Sequence, residues 1–272
     1  MPGLPLETTP PGGRALVMGA LNVTPDSFSD GGDYFETGAA VARGLEMIAE
    51  GADIVDVGGE SSRPGAEPVG EEEELRRVLP VVEALAGRVR VLVDTAKAGV
   101  ARAAVAAGAS LINDITASLW PVAAETGAGW VAMHMRGVPA TMQADPRYDD
   151  VVGEVADFLA RRAEAGTEAG VGEVWIDPGI GFGKTAEHNL ALLAGLSRLA
   201  DLGYPVLVGA SRKRFLGVIG AGPEGYLAER DRLEPSLAVA VWAYDNGAAM
   251  VRAHDVAATA AAATIVTAGV AW

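Results

Sequence analysis

The stretch from Met18 to Gly32 reads MGALNVTPDSFSDGG and joins an apolar run to a polar loop. Its first half is typical of a fully buried strand, because it is apolar and flanked by Gly/Pro-rich sequence. Asn22 stands where that strand would end, and the turn-forming residues beyond it place Phe28 on a loop. An ordinary strand and hairpin turn is the plainer interpretation. A strand that delivers an amide and then a loop also suits the floor and lid of an active site.

Length, charge and cysteine content limit the classes of protein that the chain can form. It has 272 residues, no cysteine and a net charge of −15. This length suits one large α/β barrel or two smaller domains. Disulfides and thiolate metal sites are excluded, which fits a cytoplasmic location. The negative charge argues against nucleic-acid and anionic membrane partners.

The sequence has no segment typical of a membrane span or of a signal peptide. We find no apolar run long enough to cross a bilayer. Residues 1–14 are rich in Pro and Gly and lack a charged start followed by an apolar run. They are expected to form a flexible tail rather than a signal peptide.

A strand-then-helix alternation repeats along residues 15–272. Short apolar runs without polar alternation predict strands covered on both faces. The predicted strands are Ala15–Leu21, Ile54–Val57, Val89–Val93, Ser110–Ile112, Trp130–Met133, Glu173–Ile176, Pro205–Val208 and Ala249–Val251. Predicted helices between them include Gly38–Glu50, Glu71–Leu85, Lys97–Ala107, Val151–Glu168, Glu187–Leu202 and Ser236–Asn246. The longer segments Gly137–Asp150 and Gly217–Leu233 are predicted surface loops.

Eight alternating units in one chain of this length predict an α/β fold, a single-domain (β/α)₈ TIM barrel over residues 15–272. A doubly wound sheet is the second choice. It would require fewer strands, or a glycine-rich fingerprint after the first strand.

Polar or charged residues follow every predicted strand. In such a barrel the loops after the strands build one face, so these residues would meet at one rim. They are Asn22, Gly58–Gly65, Asp94-Thr95, Asn113-Asp114, His134, Asp177–Gly179, Gly209–Lys213 and Arg252–Asp255. Isolated carboxylates are costly to bury, so a functional origin of the set is favoured over a structural one.

The same residues resemble the dihydropteroate synthase family over nearly the whole chain. Besides Met18–Gly32, the matching motifs are Gly59–Gly65, Asn113-Asp114, Met133–Gly137, Asp177–Lys184, Ser211–Lys213 and Arg252–Asp255. The resemblance implies a folate-pathway transferase that joins 6-hydroxymethyl-7,8-dihydropterin pyrophosphate to p-aminobenzoate and releases pyrophosphate. It further implies an SN1-like mechanism, in which the pterin ionises before p-aminobenzoate attacks.

The resemblance also assigns roles in binding the two organic substrates. Asp177 would accept two parallel hydrogen bonds from the pterin, with Asn113 and Asp94 on its other polar atoms. Lys213 would donate to the ring carbonyl and lie against the pterin face, and Phe182 would lie close to the pterin pocket. The walls of the p-aminobenzoate pocket would be Phe28, Ser62, Pro64 and Lys213. A glycosidase-like acid/base pair of Asp94 and Asp177 is the competing interpretation, but no aromatic sugar platform accompanies it.

For the pyrophosphate, the resemblance implies cationic ligands and Mg²⁺. Arg63, Arg252 and His254 would bind the phosphates and act with Lys213 as the catalytic groups. Asn22 would offer its side-chain oxygen to the metal, with waters and phosphate oxygens completing the shell. Taken alone, His254 could equally cap the last helix. A homodimer is implied as well, with the Ala-rich late helices as candidate surfaces.

Three other interpretations are weaker. Gly179–Thr185 falls one residue short of P-loop spacing, with Pro178 in the required glycine position, so we interpret it as a strand-to-helix turn. A pterin-binding methyltransferase would have no use for Ser61–Gly65 or for Arg252 and His254. A catalytically silent pterin-binding paralogue should show losses in the loops, and we see none.

Arg214 stands where the family usually has Ser, and this change would alter the mouth of the p-aminobenzoate site.

Overall fold

The eight apolar runs form parallel β-strands that pair in chain order and close into a barrel. The computed structural model describes residues 15–24, 32–62, 66–221 and 225–268. The strands are β1 (Leu16–Asn22), β2 (Ile54–Gly58), β3 (Arg90–Asp94), β4 (Leu111–Asp114), β5 (Gly129–Met133), β6 (Val174–Asp177), β7 (Val206–Val208) and β8 (Ala248–Ala253). The predicted (β/α)₈ TIM barrel is therefore confirmed. The predicted tail, residues 1–14, lies outside the described residues.

Several strands extend one or two residues beyond their predicted ends. The parallel ladder pairs Asn22 with Gly58, Gly58 with Asp94, and Asp94 with Asn113. Asp177 likewise pairs with Met133 at the end of β6. Because these polar residues belong to the strands themselves, the rigid barrel fixes their positions around one rim.

Helices surround the barrel. They are α1 (Gly32–Ala49), α2 (Glu71–Leu85), α3 (Ala98–Ala106), α4 (Trp120–Thr126), α5 (Val151–Glu168), α6 (Ala186–Ala194), α7 (Leu196–Ala200), α8 (Arg214–Gly220), α9 (Leu233–Asp245) and α10 (Val256–Thr267). The bounds predicted for α2 and α5 are confirmed. Within the described residues, no helix combines the length and apolar character needed to cross a membrane.

Two sequence predictions about these segments were wrong. The single helix predicted over Glu187–Leu202 is divided at Gly195 into α6 and α7. The loop predicted over Gly217–Leu233 overlaps α8, which continues to Gly220, and a 3₁₀ turn at Glu229–Asp231. Gly217 is buried within α8, and its carbonyl accepts a hydrogen bond from Leu227 N at 2.9 Å, which ties the helix to the segment that follows it. The loop predicted over Gly137–Asp150 holds no helix or strand.

Apolar side chains fill the barrel interior and the layer between barrel and helices. The interior set is Leu16, Met18, Ile54, Leu92, Leu111, Val131, Trp175, Leu207 and Met250. At the amino ends of the strands an ionic cluster closes the barrel. Arg90 donates to Glu173 Oε1 at 2.9 Å and to Ser110 Oγ at 2.9 Å, and Trp175 Nε1 donates to Glu173 at 2.6 Å. Asn22 and Asp94 lie at the opposite end of the barrel, which is where active sites of such barrels are found.

Candidate active site

Arg252 and two strand-end residues form the centre of the polar rim. Its Nη2 donates to Asp94 Oδ2 at 3.0 Å, and Asn113 Nδ2 donates to Asp94 Oδ1 at 3.0 Å. Asn113 is buried, and its Oδ1 has no hydrogen-bond partner among the described residues. The structure thus brings these three predicted site residues together and leaves a buried acceptor free for a ligand donor.

Asp56, which sequence reasoning missed, also belongs to this centre. It lies in the middle of β2, is completely buried, and places Oδ2 2.5 Å from Arg252 Nη2. Burial raises the pKa of Asp56 to about 7, with Arg252 opposing the rise and Asp94 adding to it. A single acid inside the apolar run Ile54–Gly58 was the available signal, because such a residue is rarely buried without a partner.

Asp177, Lys213 and Phe182 form the second part of the rim. Asp177 Oδ1 accepts a hydrogen bond from Gly179 N at 2.7 Å. Burial raises the pKa of Asp177, while the nearby charge of Lys213 opposes this rise. The Lys213 ammonium donates to the Ile180 carbonyl and lies 4.4 Å from the centre of the Phe182 ring. Burial lowers the pKa of Lys213 to about 8.

A buried lysine holds the glycine-rich turn that follows Asp177 and carries Phe182. Lys184 Nζ lies 3.0 Å from the carbonyl oxygens of both Gly179 and Phe182, and 2.9 Å from His134 Nδ1. Burial lowers the pKa of Lys184 to about 7 and that of His134 to about 3. Gly179 has a φ of +63°, and a side chain there would collide with the His134 carbonyl. The segment is a strand-to-helix turn, as predicted, and α6 follows it.

His254 and Asn22 line a neighbouring cavity of about 340 Å³. Its walls are Ala20, Leu21, Asn22, Arg43, Met47, Arg212, His254 and Asp255. Arg212 donates to Asp255 Oδ2 at 2.9 Å, and Arg43 donates to the His254 carbonyl at 3.3 Å. Burial lowers the pKa of His254 to about 4, and Arg252 and Arg212 lower it further. His254 is therefore neutral at pH 7 in the free protein.

The segment between β2 and α2 is held by an ion-pair cluster at its base. Lys97 Nζ lies 2.5 Å from Glu60 Oε2 and 2.5 Å from Glu74 Oε2. Glu60 also accepts a hydrogen bond from Val69 N at 3.0 Å. Ser62 is half-buried in this segment, whereas the predicted site residues Arg63, Pro64 and Phe28 lie outside the described residues.

The side chains around Asn22 suit a metal ion whose ligands come mainly from a bound substrate. Among the described residues, no group of three or more His, Cys, Asp or Glu side chains is placed to hold a metal ion. Asp255, which shares the cavity with Asn22, is paired with Arg212. One neutral amide oxygen beside a polar cavity suits Mg²⁺ only when phosphate and water oxygens supply the remaining ligands.

Known proteins match this chain along most of its length. The family model described as "Pterin binding enzyme" matches residues 18–254. The dihydropteroate synthase of Mycobacterium leprae is 47% identical over 260 residues, which cover 92% of each chain. A structure of Xanthomonas albilineans dihydropteroate synthase with 4-aminobenzoic acid has a TM-score of 0.87 and 47% identity, covering 96% of this chain and 95% of its own.

A second structure of the Xanthomonas albilineans enzyme, in complex with 7,8-dihydropteroate, has a TM-score of 0.84 and 44% identity, covering 96% of each chain. The likeness in fold and the sequence identity both extend over more than nine-tenths of the chain. The chain therefore belongs to the pterin-binding enzymes and, among them, to the dihydropteroate synthases, transferases of folate biosynthesis.

Proposed function

We propose that the rim residues bind 6-hydroxymethyl-7,8-dihydropterin pyrophosphate and join its pterin to p-aminobenzoate. The observation that carries this assignment is the contact chain from Asn113 through Asp94 to Arg252. It links an amide and an acid suited to a heterocycle with a cation suited to a departing phosphate. Lys213 and Asp177 lie on the same rim.

The pterin is recognised by the acidic and amide side chains. We assign Oδ2 of Asp177 to the pterin, since Oδ1 accepts from Gly179 N at 2.7 Å. Oδ1 of Asn113, which has no partner among the described residues, takes a ring donor. Phe182 and Lys213 lie against the ring face, and Lys213 donates to the ring carbonyl. Each charge-assisted hydrogen bond contributes about 1.5–3 kcal/mol. Ser62, Pro64 and Phe28 are assigned to the p-aminobenzoate pocket together with Lys213.

The leaving diphosphate is bound by Arg252, His254 and Arg63. Arg252 is already shared between Asp94 and Asp56, so its charge is held at the rim before substrate arrives. The adjoining cavity beside Asn22 has room for a diphosphate. When bound there with Asn22 as its protein ligand, Mg²⁺ supplies charge stabilisation for the developing anion.

The chemical step needs little proton transfer from the protein. The pterin ring nitrogens delocalise positive charge on the exocyclic methylene as the carbon–oxygen bond to diphosphate breaks. Arg252 and Arg63 stabilise the negative charge that develops on the leaving group. The p-aminobenzoate nitrogen then attacks as a neutral amine and loses a proton to solvent, so the chain requires no strong general base.

We also propose that the protein is a homodimer formed through a patch on α6, α8 and α9. Its exposed apolar side chains are Leu190, Val218, Ile219 and Trp242, each 44–49% exposed. Trp242 Nε1 donates to the Leu193 carbonyl at 2.8 Å, which joins α9 to α6 within the patch. Patches of this kind mark protein interfaces. Size-exclusion chromatography with light scattering of wild type and Ile219→Glu tests the assignment.

A cytoplasmic location of the protein fits the proposed substrates, because they are dissolved, polar metabolites.

Turnover with the pterin pyrophosphate, with and without p-aminobenzoate and Mg²⁺, tests the proposed reaction. We expect diphosphate release that depends on both. Arg63→Ala should lower turnover far more than it lowers affinity for the unphosphorylated pterin. Diphosphate release at the same rate with and without p-aminobenzoate would contradict the proposed reaction. A larger loss of affinity for the unphosphorylated pterin than of turnover in Arg63→Ala would contradict the leaving-group assignment.

A further inference from the structure

The hydroxyl of Ser211 makes two contacts with His254. Ser211 follows β7, and His254 follows β8, so two neighbouring strand ends bring them together. The backbone N–H of His254 donates to Ser211 Oγ at 3.2 Å. The imidazole Nδ1 of the same histidine lies 3.1 Å from that oxygen. One side chain thus contacts both the backbone and the ring of His254.

Counting donors and acceptors indicates the direction of the second hydrogen bond. A serine hydroxyl has one hydrogen to donate and lone pairs that accept. The backbone N–H of His254 already occupies the oxygen as an acceptor. Among the described residues, Nδ1 of His254 is the acceptor within reach of the Ser211 hydrogen. If Nδ1 carried the ring proton, it would donate to Ser211 Oγ, and the Ser211 hydrogen would have no acceptor among the described residues. Donation from the hydroxyl to an unprotonated Nδ1 satisfies both groups and leaves the ring proton on Nε2.

We propose that Ser211 is a positioning residue that fixes His254 in the tautomer with the proton on Nε2. The Nε2–H then points away from Ser211 and serves as the donor to the leaving diphosphate. This inference rests on the proposed role of His254 as a phosphate ligand. It adds the residue that determines which ring nitrogen can donate.

The tautomer matters because the imidazole is neutral. Burial and the nearby arginines lower the pKa of His254 to about 4, so at pH 7 the ring carries one proton that either nitrogen could hold. With the proton on Nδ1, the ring would present a lone pair to a phosphate oxygen and repel it. Arg43 also holds the His254 backbone, because it donates to the His254 carbonyl at 3.3 Å.

Nitrogen-15 NMR of the histidine rings measures the tautomer directly. The chain has three histidines, and a His254→Gln variant assigns the signals of His254. In wild type at pH 7 we expect His254 in the Nε2–H form. Ser211→Ala should convert it to a mixture of tautomers, whereas Ser211→Thr, which keeps the hydroxyl, should restore the Nε2–H form. Inorganic diphosphate with Mg²⁺ should shift the Nε2 signal of wild type.

Kinetics provide the second measurement. Ser211→Ala should lower kcat about tenfold, the effect of losing one hydrogen bond in the transition state, while KM for the pterin pyrophosphate stays within about twofold. Ser211→Thr should recover most of kcat. Thr264→Ala, which removes a hydroxyl bonded to its own helix, is the control for a general effect of losing a hydroxyl.

Two NMR results would overturn the inference. One is a wild-type His254 with its proton on Nδ1, and the other is an unchanged tautomer in Ser211→Ala. An Nε2 signal that does not respond to diphosphate would also overturn it, because His254 would then bind no phosphate. Failure of the proposed reaction is distinguishable: turnover would be absent in wild type, although the tautomer and its dependence on Ser211 would remain as expected.

Discussion

Arg252 lies between two acids, and Asp56, whose Oδ2 is 2.5 Å from its Nη2, is completely buried beneath the rim. Asp94, the other acid, lies at the carboxyl end of β3, where it also contacts Asn113. Arg252 is therefore oriented from below by a residue that no substrate can reach. The deeper carboxylate fixes the cation from within the barrel, and the outer one contacts it at the rim.

Replacing Asp56 with Asn should change how stability depends on pH. Burial raises the pKa of Asp56 from its usual 3.8 to about 7, so the folded protein binds this proton more tightly than the unfolded chain. The resulting stabilisation is present below about pH 4 and is lost as the pH rises through about 7. Relative to Asp56→Asn, the free energy of unfolding of wild type should fall by at most about 1.4 kcal/mol per pH unit in this window. Urea titrations from pH 4 to 8 test this, and parallel curves for the two proteins would contradict it.

Asp177→Ala should abolish measurable pterin binding. It removes the carboxylate proposed to accept two hydrogen bonds, each of about 1.5–3 kcal/mol, so affinity should fall at least 100-fold, or about 2.7 kcal/mol. Calorimetric titration with 6-hydroxymethylpterin measures the loss. Asp157→Ala, at an exposed position on α5, is the matched control and should bind normally. Near-normal affinity of a folded Asp177→Ala protein would remove Asp177 from the site.

Several of the residues that sequence reasoning identified end a strand. Asp94, Asn113 and Asp177 follow apolar runs directly, and parallel strands bring such positions to one rim whatever the details of packing. Asp56 could not be assigned in this way. It lies inside a run, and the sequence does not tell which partner neutralises a buried acid.

Long-range partners explain the other omissions. Lys184 contacts His134, 50 residues earlier in the chain, and Ser211 contacts His254, 43 residues later. Lys184 and Ser211 both belong to motifs that the sequence analysis named. Their roles could not be assigned from sequence, because their partners become neighbours only in the closed barrel. The division of the predicted helix at Gly195 had a local signal, since glycine has low helix propensity.

The rate of the reaction should fall above about pH 8. Burial lowers the pKa of Lys213 to about 8, so its ammonium loses its proton above that pH and can no longer donate to the pterin carbonyl as a cation. In the proposed role, kcat/KM should decrease about tenfold per pH unit beyond this point. Lys213→Arg keeps its charge and should extend activity to higher pH. An identical alkaline limb in both proteins would assign the titration to another group.

Removal of the Lys97 side chain should destabilise the protein strongly. Its Nζ lies 2.5 Å from Glu74 Oε2, and the Glu74 side chain is completely buried. Lys97→Met would leave that carboxylate buried without a cation, which lowers the free energy of unfolding by about 3–5 kcal/mol. Urea denaturation measures the loss. Because Lys97 also pairs with Glu60, which precedes Ser62 and Arg63, turnover should fall together with stability.

Arg102→Met is the matched control for this change. Arg102 also pairs with a glutamate, at 2.8 Å, but both side chains are about half exposed, at 48% and 55%. Water screens such a pair, so its removal should change the free energy of unfolding far less than Lys97→Met does. Combining Lys97→Met with Glu74→Gln should recover much of the lost stability, because no unpaired buried charge remains. Equal, small effects of Lys97→Met and Arg102→Met would contradict a buried ion pair at the base of the segment between β2 and α2.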